Sequence, residues 1–236
     1  MTAPAAEDGS WHELSAVDRA MSRRMQVAAQ IPLATLDVAV EVDAALAMVA
    51  EARSELPDAT FTSVVLTAVG RALREHPTVA SVVDHEARKR FVPRSPGVGV
   101  AVQTGRGLVV PVLRDVISAT FAQITASLVT AVATVRGGRP DPSVFAGGHF
   151  TITNIAGGGI DGGTPMVNPP QSAILGLGTG KRTPIVRDDG IEVARVARFT
   201  LSLDHRALDG MTAAAFLTDV KARIEAPEGL LAGPAA

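Results

Sequence analysis

The last third of the chain constrains the fold most. GGHFTITNIA, SAILGLGTG and VARVARFTLSLD are three extended, mostly apolar runs, and a helix opens only after them, from about Asp209 to Glu225. Three such runs cannot stand alone in water and must be assembled into a sheet whose apolar face is covered. The stretch between the first two, GGGIDGGTPMVNPPQ, is too rich in glycine and proline to be a helix,. The cover therefore has to come from earlier in the chain. Ser15 to Gln30 reads as a helix carrying Arg19, Arg23 and Arg24, and Asp43 is placed to cap another that runs to about Arg53,. Val65, Leu66, Val69 and Leu73 recur at helical spacing between Thr60 and Glu75, as do Phe121, Ile124, Leu128, Val132 and Val135 up to Gly137,.

Further strands lie between these helices. PLATLDVAVEVD sets Leu33, Thr35, Asp37, Ala39 and Glu41 on one face and Leu36, Val38, Val40 and Val42 on the other,. Val79 to Val92 reads as two short strands about a turn near Asp84 and His85. GVGVAVQTGRGLVVPVLRD reads as two apolar strands joined at Thr104 to Gly107,. Neither a repeat nor a linker divides the chain, so the expectation is a single α+β domain with a mixed sheet covered by helices. Residues 1–14 are expected to form a disordered lead, 15–231 the folded domain and 232–236 a tail.

Composition removes several function classes. With 236 residues, 47% of them hydrophobic, the chain can bury one large core,. The net charge of -2, with both signs interspersed, provides no basic field for a nucleic acid,. The absence of cysteine excludes disulfides, thiolate-bound zinc, iron–sulfur clusters and a cysteine nucleophile,. Any thiol chemistry must use a thiol brought by a substrate. No apolar run approaches the ~20 residues of a membrane span, and the start carries acidic residues where a signal peptide needs positive charge, so a soluble cytoplasmic protein is expected,.

LSLDHRALDG, residues 201–210, crowds a histidine, an arginine and two aspartates into a strand-to-helix junction. His205 can serve there as a base, with Asp209 one turn further on, or Asp204, Arg206 and Asp209 can form a surface ion cluster beside an incidental histidine. In GGHFTITN, Thr151 and Thr153 share a strand face that leads into a glycine-rich loop, where a hydroxyl can be offered to a substrate oxygen, although threonine is also simply a good strand residue,. The Thr104 to Gly107 turn and the VVPV that follows can line a channel or be a plain hairpin. Gly157-Gly158-Gly159 has no Lys-Ser/Thr after it and is no phosphate loop,. His12, His76, His85 and His149 show no metal-ligand spacing, and no serine occupies a G-x-S-x-G elbow,.

SRRM followed by Ile31-Pro32, GVGVAVQTGRGLVVPVLRDV, GGHFTITNIAGGG, NPPQSAILGLG and LSLDHRALDG, in this order, resemble the catalytic domain of the dihydrolipoyl acyltransferases, the core subunits of 2-oxoacid dehydrogenase complexes. The resemblance runs from about Ser15 to Leu231. It implies a chloramphenicol-acetyltransferase-like fold and a homotrimer with active sites between subunits. It also implies acyl transfer between coenzyme A and a thiol, either dihydrolipoyl or carrier-protein phosphopantetheine. By the same resemblance His205 matches the general base and Thr153 the hydroxyl that stabilises the oxyanion. Asp209 matches the aspartate that pairs with an arginine of the early helix, for which Arg24 is the candidate, and Asn154 and Gly210 match residues that support the site.

This sequence departs from the family at several points. Pro32-Leu33 and Val79-Ala80 stand where many relatives carry Pro-His and Asn-Ala, and no lipoyl or peripheral-subunit-binding domain is expected before the core. A lipoyl group would therefore act only in trans, on a separate lipoyl-domain or carrier protein. No metal, nucleic-acid or membrane partner is implied. Two alternatives remain beside the thiol acyltransferase: a catalytically idle trimeric scaffold, and a CoA-dependent acyltransferase acting on an amine or hydroxyl of a specialised metabolite.

Overall fold

The structure is a computed structural model that describes residues 9–138 and 140–233. Residues 1–8 and 234–236, which hold most of the expected lead and tail, lie outside the described residues. Helix α1 (Ala16–Ala28) opens at Ser15, whose side chain accepts from the Asp18 backbone N–H,. Strand β1 (Leu33–Glu41) follows, with the predicted alternation: Val40 is fully buried and Leu33, Thr35, Asp37 and Ala39 are exposed. Then come α2 (Asp43–Ala52), α3 (Phe61–Glu75), the short pair β2 (Val82–Asp84) and β3 (Lys89–Phe91), and β4 (Gly97–Val100).

A small hairpin of β5 (Val102–Thr104) and β6 (Gly107–Val109) precedes β7 (Val112–Leu113) and α4 (Phe121–Arg136). After these come β8 (Gly148–Asn154), β9 (Ala173–Leu177), β10 (Lys181–Arg187), β11 (Gly190–Asp204), α5 (Gly210–Glu225) and the single turn α6 (Glu228–Leu231).

Seven strands form one mixed sheet in the order β1-β11-β9-β8-β4-β7, with β10 paired to the outer half of β11. The β8/β9 and β8/β4 pairs are parallel and the others antiparallel. The sheet's two faces differ in kind. Phe150 and Ile152 of β8, Leu175 and Leu177 of β9, and Phe199, Leu201 and Leu203 of β11 point into one continuous core with α2, α3, α4 and α5. Phe150 meets Phe216 of α5 edge-on at 5.5 Å between ring centres,. The residues between them, Thr151, Thr153, Ile174 and Gly176, face the opposite side, where α1 and the 155–172 connection are the cover.

The fold is the expected α+β domain, with three differences in detail. Asp43 does not cap α2: Val42 holds the cap position without a side-chain bond, and the Asp43 carboxylate accepts the Arg195 backbone N–H instead. The two strands expected across residues 97–113 are each broken in two. Ala101 donates its N–H to the Ile152 carbonyl, and Pro111, lacking an N–H, gives its carbonyl to Val100, so the β5/β6 hairpin bends away from the sheet,. Lys181–Arg187, unassigned from the sequence, is a seven-residue strand exposed along most of its length.

Candidate active site

His205 sits in the turn between β11 and α5, and nearly every polar group around it braces that turn. Its own N–H donates to the Pro32 carbonyl at 3.0 Å, which ties it to the start of β1. The Ala207 and Leu208 N–H groups both donate to the Asp204 carbonyl, at 2.9 and 3.0 Å, and both side chains are buried. Arg90 of β3 donates to the Ala207 carbonyl. The His205 ring itself is exposed.

Asp204, 5% exposed, is the electrostatic centre of this turn. Its carboxylate accepts from the Arg206 backbone N–H at 3.0 Å and from the Arg206 Nε and terminal nitrogen at 2.9 and 2.7 Å, a bidentate pairing,. His85 Nε2 lies 3.8 Å away on the other side. Burial pushes the Asp204 carboxyl up, but the hydrogen bonds and charge of Arg206, with His85, outweigh it and hold it below the usual carboxylate range,.

Asp209 is the N-cap of α5. Its carboxylate accepts the Thr212 backbone N–H and hydroxyl, both at 2.8 Å, and these bonds, the backbone one first, hold it below its ordinary pKa,. Its expected pairing with Arg24 is not made: no ion pair joins them, and Arg24 lines a surface hollow with Arg23, Val27, Pro169 and Pro170. The Thr212 N–H and hydroxyl satisfy the Asp209 carboxylate locally instead. Gly210 is the first residue of α5, and a Cβ there would meet open space.

Thr153 opens onto a cavity of about 340 Å³ on the α1 face of the sheet. Leu108 and Val110, from the turn and VVPV stretch, line it, together with Met21 and Met25 of α1 and Thr164, Pro165, Met166 and Asn168 of the connection. Parallel strands need a long crossover, and here the crossover from β8 to β9 is this cavity wall,. Thr151, deeper on the same face, donates to Gln171 Oε1 at 2.6 Å. Asn154 points to the helical face and bonds the Thr62 hydroxyl at 3.1 Å and the Ala156 N–H at 3.0 Å, so it anchors the strand end to α3.

The register separates the two principal residues. Thr153 lies level with Gly176, and Gly176 with Thr200, while the His205 turn begins four residues further along β11. At ~3.3 Å per residue and ~5 Å per strand, Asp204 and Thr153 stand roughly 16 Å apart, beyond what the two side chains can span. Sequence reasoning missed the methionines of α1 and the braces Arg90 and His85. The first sit on a helix whose sequence signal was its arginines, and the second lie more than a hundred residues from the turn they hold.

The sequence profile of the family described as 2-oxoacid dehydrogenases acyltransferase (catalytic domain) matches residues 7–232. The acetyltransferase component of the pyruvate dehydrogenase complex of Zymomonas mobilis is 34% identical over 229 residues, 93% of this chain and 51% of that protein. The mitochondrial succinyltransferase component of the 2-oxoglutarate dehydrogenase complex of Bos taurus is 40% identical over 175 residues, 72% of this chain and 38% of that protein. The chain thus spans about half of these relatives or less. The solved structure of a probable dihydrolipoamide acetyltransferase from Listeria monocytogenes superimposes with a TM-score of 0.88 at 26% identity, over 94% of this chain and 96% of that one. Chloramphenicol acetyltransferase shares the fold at a TM-score of 0.53 and 14% identity, over 86% of this chain and 94% of that one. A profile match over nearly the whole chain, on a fold that carries the motif residues at the ends of β8 and β11, means that the chain belongs to the 2-oxoacid dehydrogenases acyltransferase family and comprises its catalytic domain.

Proposed function

We propose that this chain moves an acyl group between coenzyme A and a thiol held on a separate molecule, a dihydrolipoyl arm or a carrier-protein phosphopantetheine, with His205 as general base and Thr153 as oxyanion donor. The observation that carries the reading is the pairing of an exposed imidazole on a turn braced from four directions with a threonine hydroxyl that opens onto an uncharged cavity. The imidazole takes the thiol proton, the sulfur adds to the thioester carbonyl, and the oxyanion so formed accepts from the Thr153 hydroxyl. Collapse re-forms the carbonyl and breaks the other carbon–sulfur bond. The departing thiolate then takes the proton back from the imidazolium, so the enzyme ends as it began.

The separation of the two motifs along the sheet, roughly 16 Å from Thr153 to Asp204 in one chain, supports a site in which the hydroxyl of one copy meets the histidine of another,. A homotrimer with its sites between subunits supplies this. No metal enters the step. The thiol acceptor also favours the cytoplasm, where dithiols stay reduced.

The test is acyl exchange between acetyl-CoA and free dihydrolipoamide, followed by mass spectrometry. His205→Ala should abolish transfer and Thr153→Val should lower kcat by about 10² to 10³. Mixed oligomers of the two inactive variants should recover about a quarter of wild-type activity, because one in four randomly formed interfaces pairs an intact threonine with an intact histidine. Absence of recovery would place both residues in one subunit's site. Transfer to amines or alcohols but not thiols would move the acceptor to a metabolite, and no turnover with any acceptor would leave a scaffold.

A further inference from the structure

We propose that Ser81 to Phe91 form a clamp that fixes the His205 turn for proton transfer, with Arg90 as its positioning residue; this rests on the acyltransferase reading above. The β2/β3 hairpin stands apart from the seven-stranded sheet, and a bridge between Val82 and Gln171 sets it beside the start of β9. Two strands of three residues have too little structure to hold a shape by themselves, so its contacts must fix it,.

The hairpin and the turn share an anchor. Ser172, 1% exposed, donates its hydroxyl to the Ser81 carbonyl at 2.6 Å, at the base of β2. The Ser172 carbonyl accepts the Asp204 N–H at 2.9 Å, one residue before the histidine. One buried residue thus sets both roots. At the far end of the hairpin the Asp84 carboxylate accepts the Ala87 N–H at 2.8 Å, and Arg88, with a φ of 53°, turns the chain back into β3,. That return sets Arg90 level with Val83 and carries its guanidinium to the turn.

Arg90 grips a peptide unit that is already held on its other side. The Leu208 N–H donates to the Asp204 carbonyl at 3.0 Å, and the Ala207 carbonyl of the same planar unit accepts from Arg90. A planar peptide held at both its donor and its acceptor cannot rotate without breaking one of the two bonds. The loop it closes, 204–208, contains His205. His85, from the same hairpin, places Nε2 3.8 Å from the Asp204 carboxylate. The hairpin therefore touches the turn on both sides of the histidine and leaves the ring exposed.

Arg90→Ala should lower kcat for acyl exchange about tenfold with KM unchanged, because the base is misplaced and no substrate contact is removed. Guanidinium chloride at millimolar concentration, far below the molar range that unfolds proteins, should return most of that loss where sodium chloride at equal ionic strength does not. Arg90→Lys, which keeps a charged donor, should lose only about threefold, and Lys89→Ala, next to it on β3, should leave kcat unchanged. Ser172→Ala loosens the shared anchor, so it should resist guanidinium and add little to Arg90→Ala, leaving the double variant nearer ten than a hundredfold below wild type, to within about twofold. An unchanged kcat in Arg90→Ala, no rescue, or additive losses in the double variant would overturn the clamp while leaving the acyltransferase intact. The proton–carbon correlation signals of the His205 ring, assigned by their loss in His205→Ala, read the turn without turnover. A single sharp set in wild type should broaden or double in Arg90→Ala and sharpen again with guanidinium, and an unchanged set would overturn the proposal. If no donor is turned over with any thiol, the acyltransferase reading fails, and the ring signals still decide whether Arg90 holds the turn.

Discussion

Removing either partner of the Asp204–Arg206 pair should cost different amounts, and the order of the two costs tests the account of the His205 turn. In Asp204→Asn one carboxylate oxygen becomes an amide nitrogen facing the guanidinium, so the 2.7 Å bond is lost while the amide oxygen keeps the bonds at 2.9 and 3.0 Å without charge. Arg206 is 41% exposed at its side chain and rehydrates, so the loss stays near that of one charge-assisted bond, about 2 kcal/mol,. For a domain of this length that corresponds to a drop in melting temperature of about 4–8 °C. Arg206→Gln does the opposite and strands a carboxylate whose side chain is only 7% exposed. Breaking a buried pair in that sense costs about 3–5 kcal/mol.

The two variants should also differ in their response to acid. In the wild type the depressed pKa of Asp204 contributes stability that is fully present above the ordinary aspartate value and is lost as pH falls through the folded one,. In Arg206→Gln burial is left to raise that pKa, so the deficit should shrink on acidification as the carboxyl takes up a proton. Thermal unfolding between pH 4 and 8, with the acyl-exchange assay alongside, reads both effects. The turn's displacement should lower kcat about tenfold in each variant with KM unchanged, since the histidine is misplaced and no binding contact is removed. If Arg206→Gln is the milder variant at neutral pH, or if its deficit grows in acid, Asp204 is not the buried charge that organises the turn.

Two further perturbations probe the scaffold. Gly70 lies mid-helix in α3, where alanine is favoured by about 1 kcal/mol, but a Cβ would stand 2.3 Å from the Val116 carbonyl oxygen,. Overpacking against backbone costs up to about 3 kcal/mol, so Gly70→Ala should lower the melting temperature by about 4–8 °C, and an unchanged or raised value would show that the 116–117 segment yields freely. His149 is held below its ordinary value by burial first and by Arg114, against a backbone hydrogen bond that acts the other way. A depressed histidine pKa makes the unfolded chain bind the extra proton, so stability should fall as pH drops below about 6.5. His149→Gln, which can still accept from the Gly97 N–H, should lose less stability than wild type between pH 7.5 and 5.5, and equal losses would remove His149 from the acid response.

The architecture was largely legible because its signals are local and repeated. Phe61–Glu75 and Phe121–Arg136 are helices where their apolar spacing places them, and Phe61–Glu75 is buried along most of its length,. What escaped were features set by distant partners. Nothing in Gly97 to Leu113 says where a strand leaves a sheet, since the break at Ala101 depends on the Ile152 carbonyl fifty residues on. Lys181 to Arg187 lacks a clean alternation because it pairs only with the outer half of β11 and packs on little else,.

The site divides along the same line. His205 and Thr153 are read from short motifs, but the cavity that gives Thr153 its surroundings is assembled from α1, the hairpin and the β8–β9 crossover, which no local pattern brings together. The two aspartates of the LDHRALDG stretch show how a motif can be right about residue type and silent about reason. Position 209 needs an N-cap, for which asparagine serves as well as aspartate, so its charge is dispensable to the helix,. Position 204 needs two oxygens on one buried group to hold a guanidinium in its plane, which only a carboxylate provides,. The arginine expected from the early helix is therefore supplied from within the motif itself, by Arg206, and it acts on the aspartate before the histidine and not on the one after it.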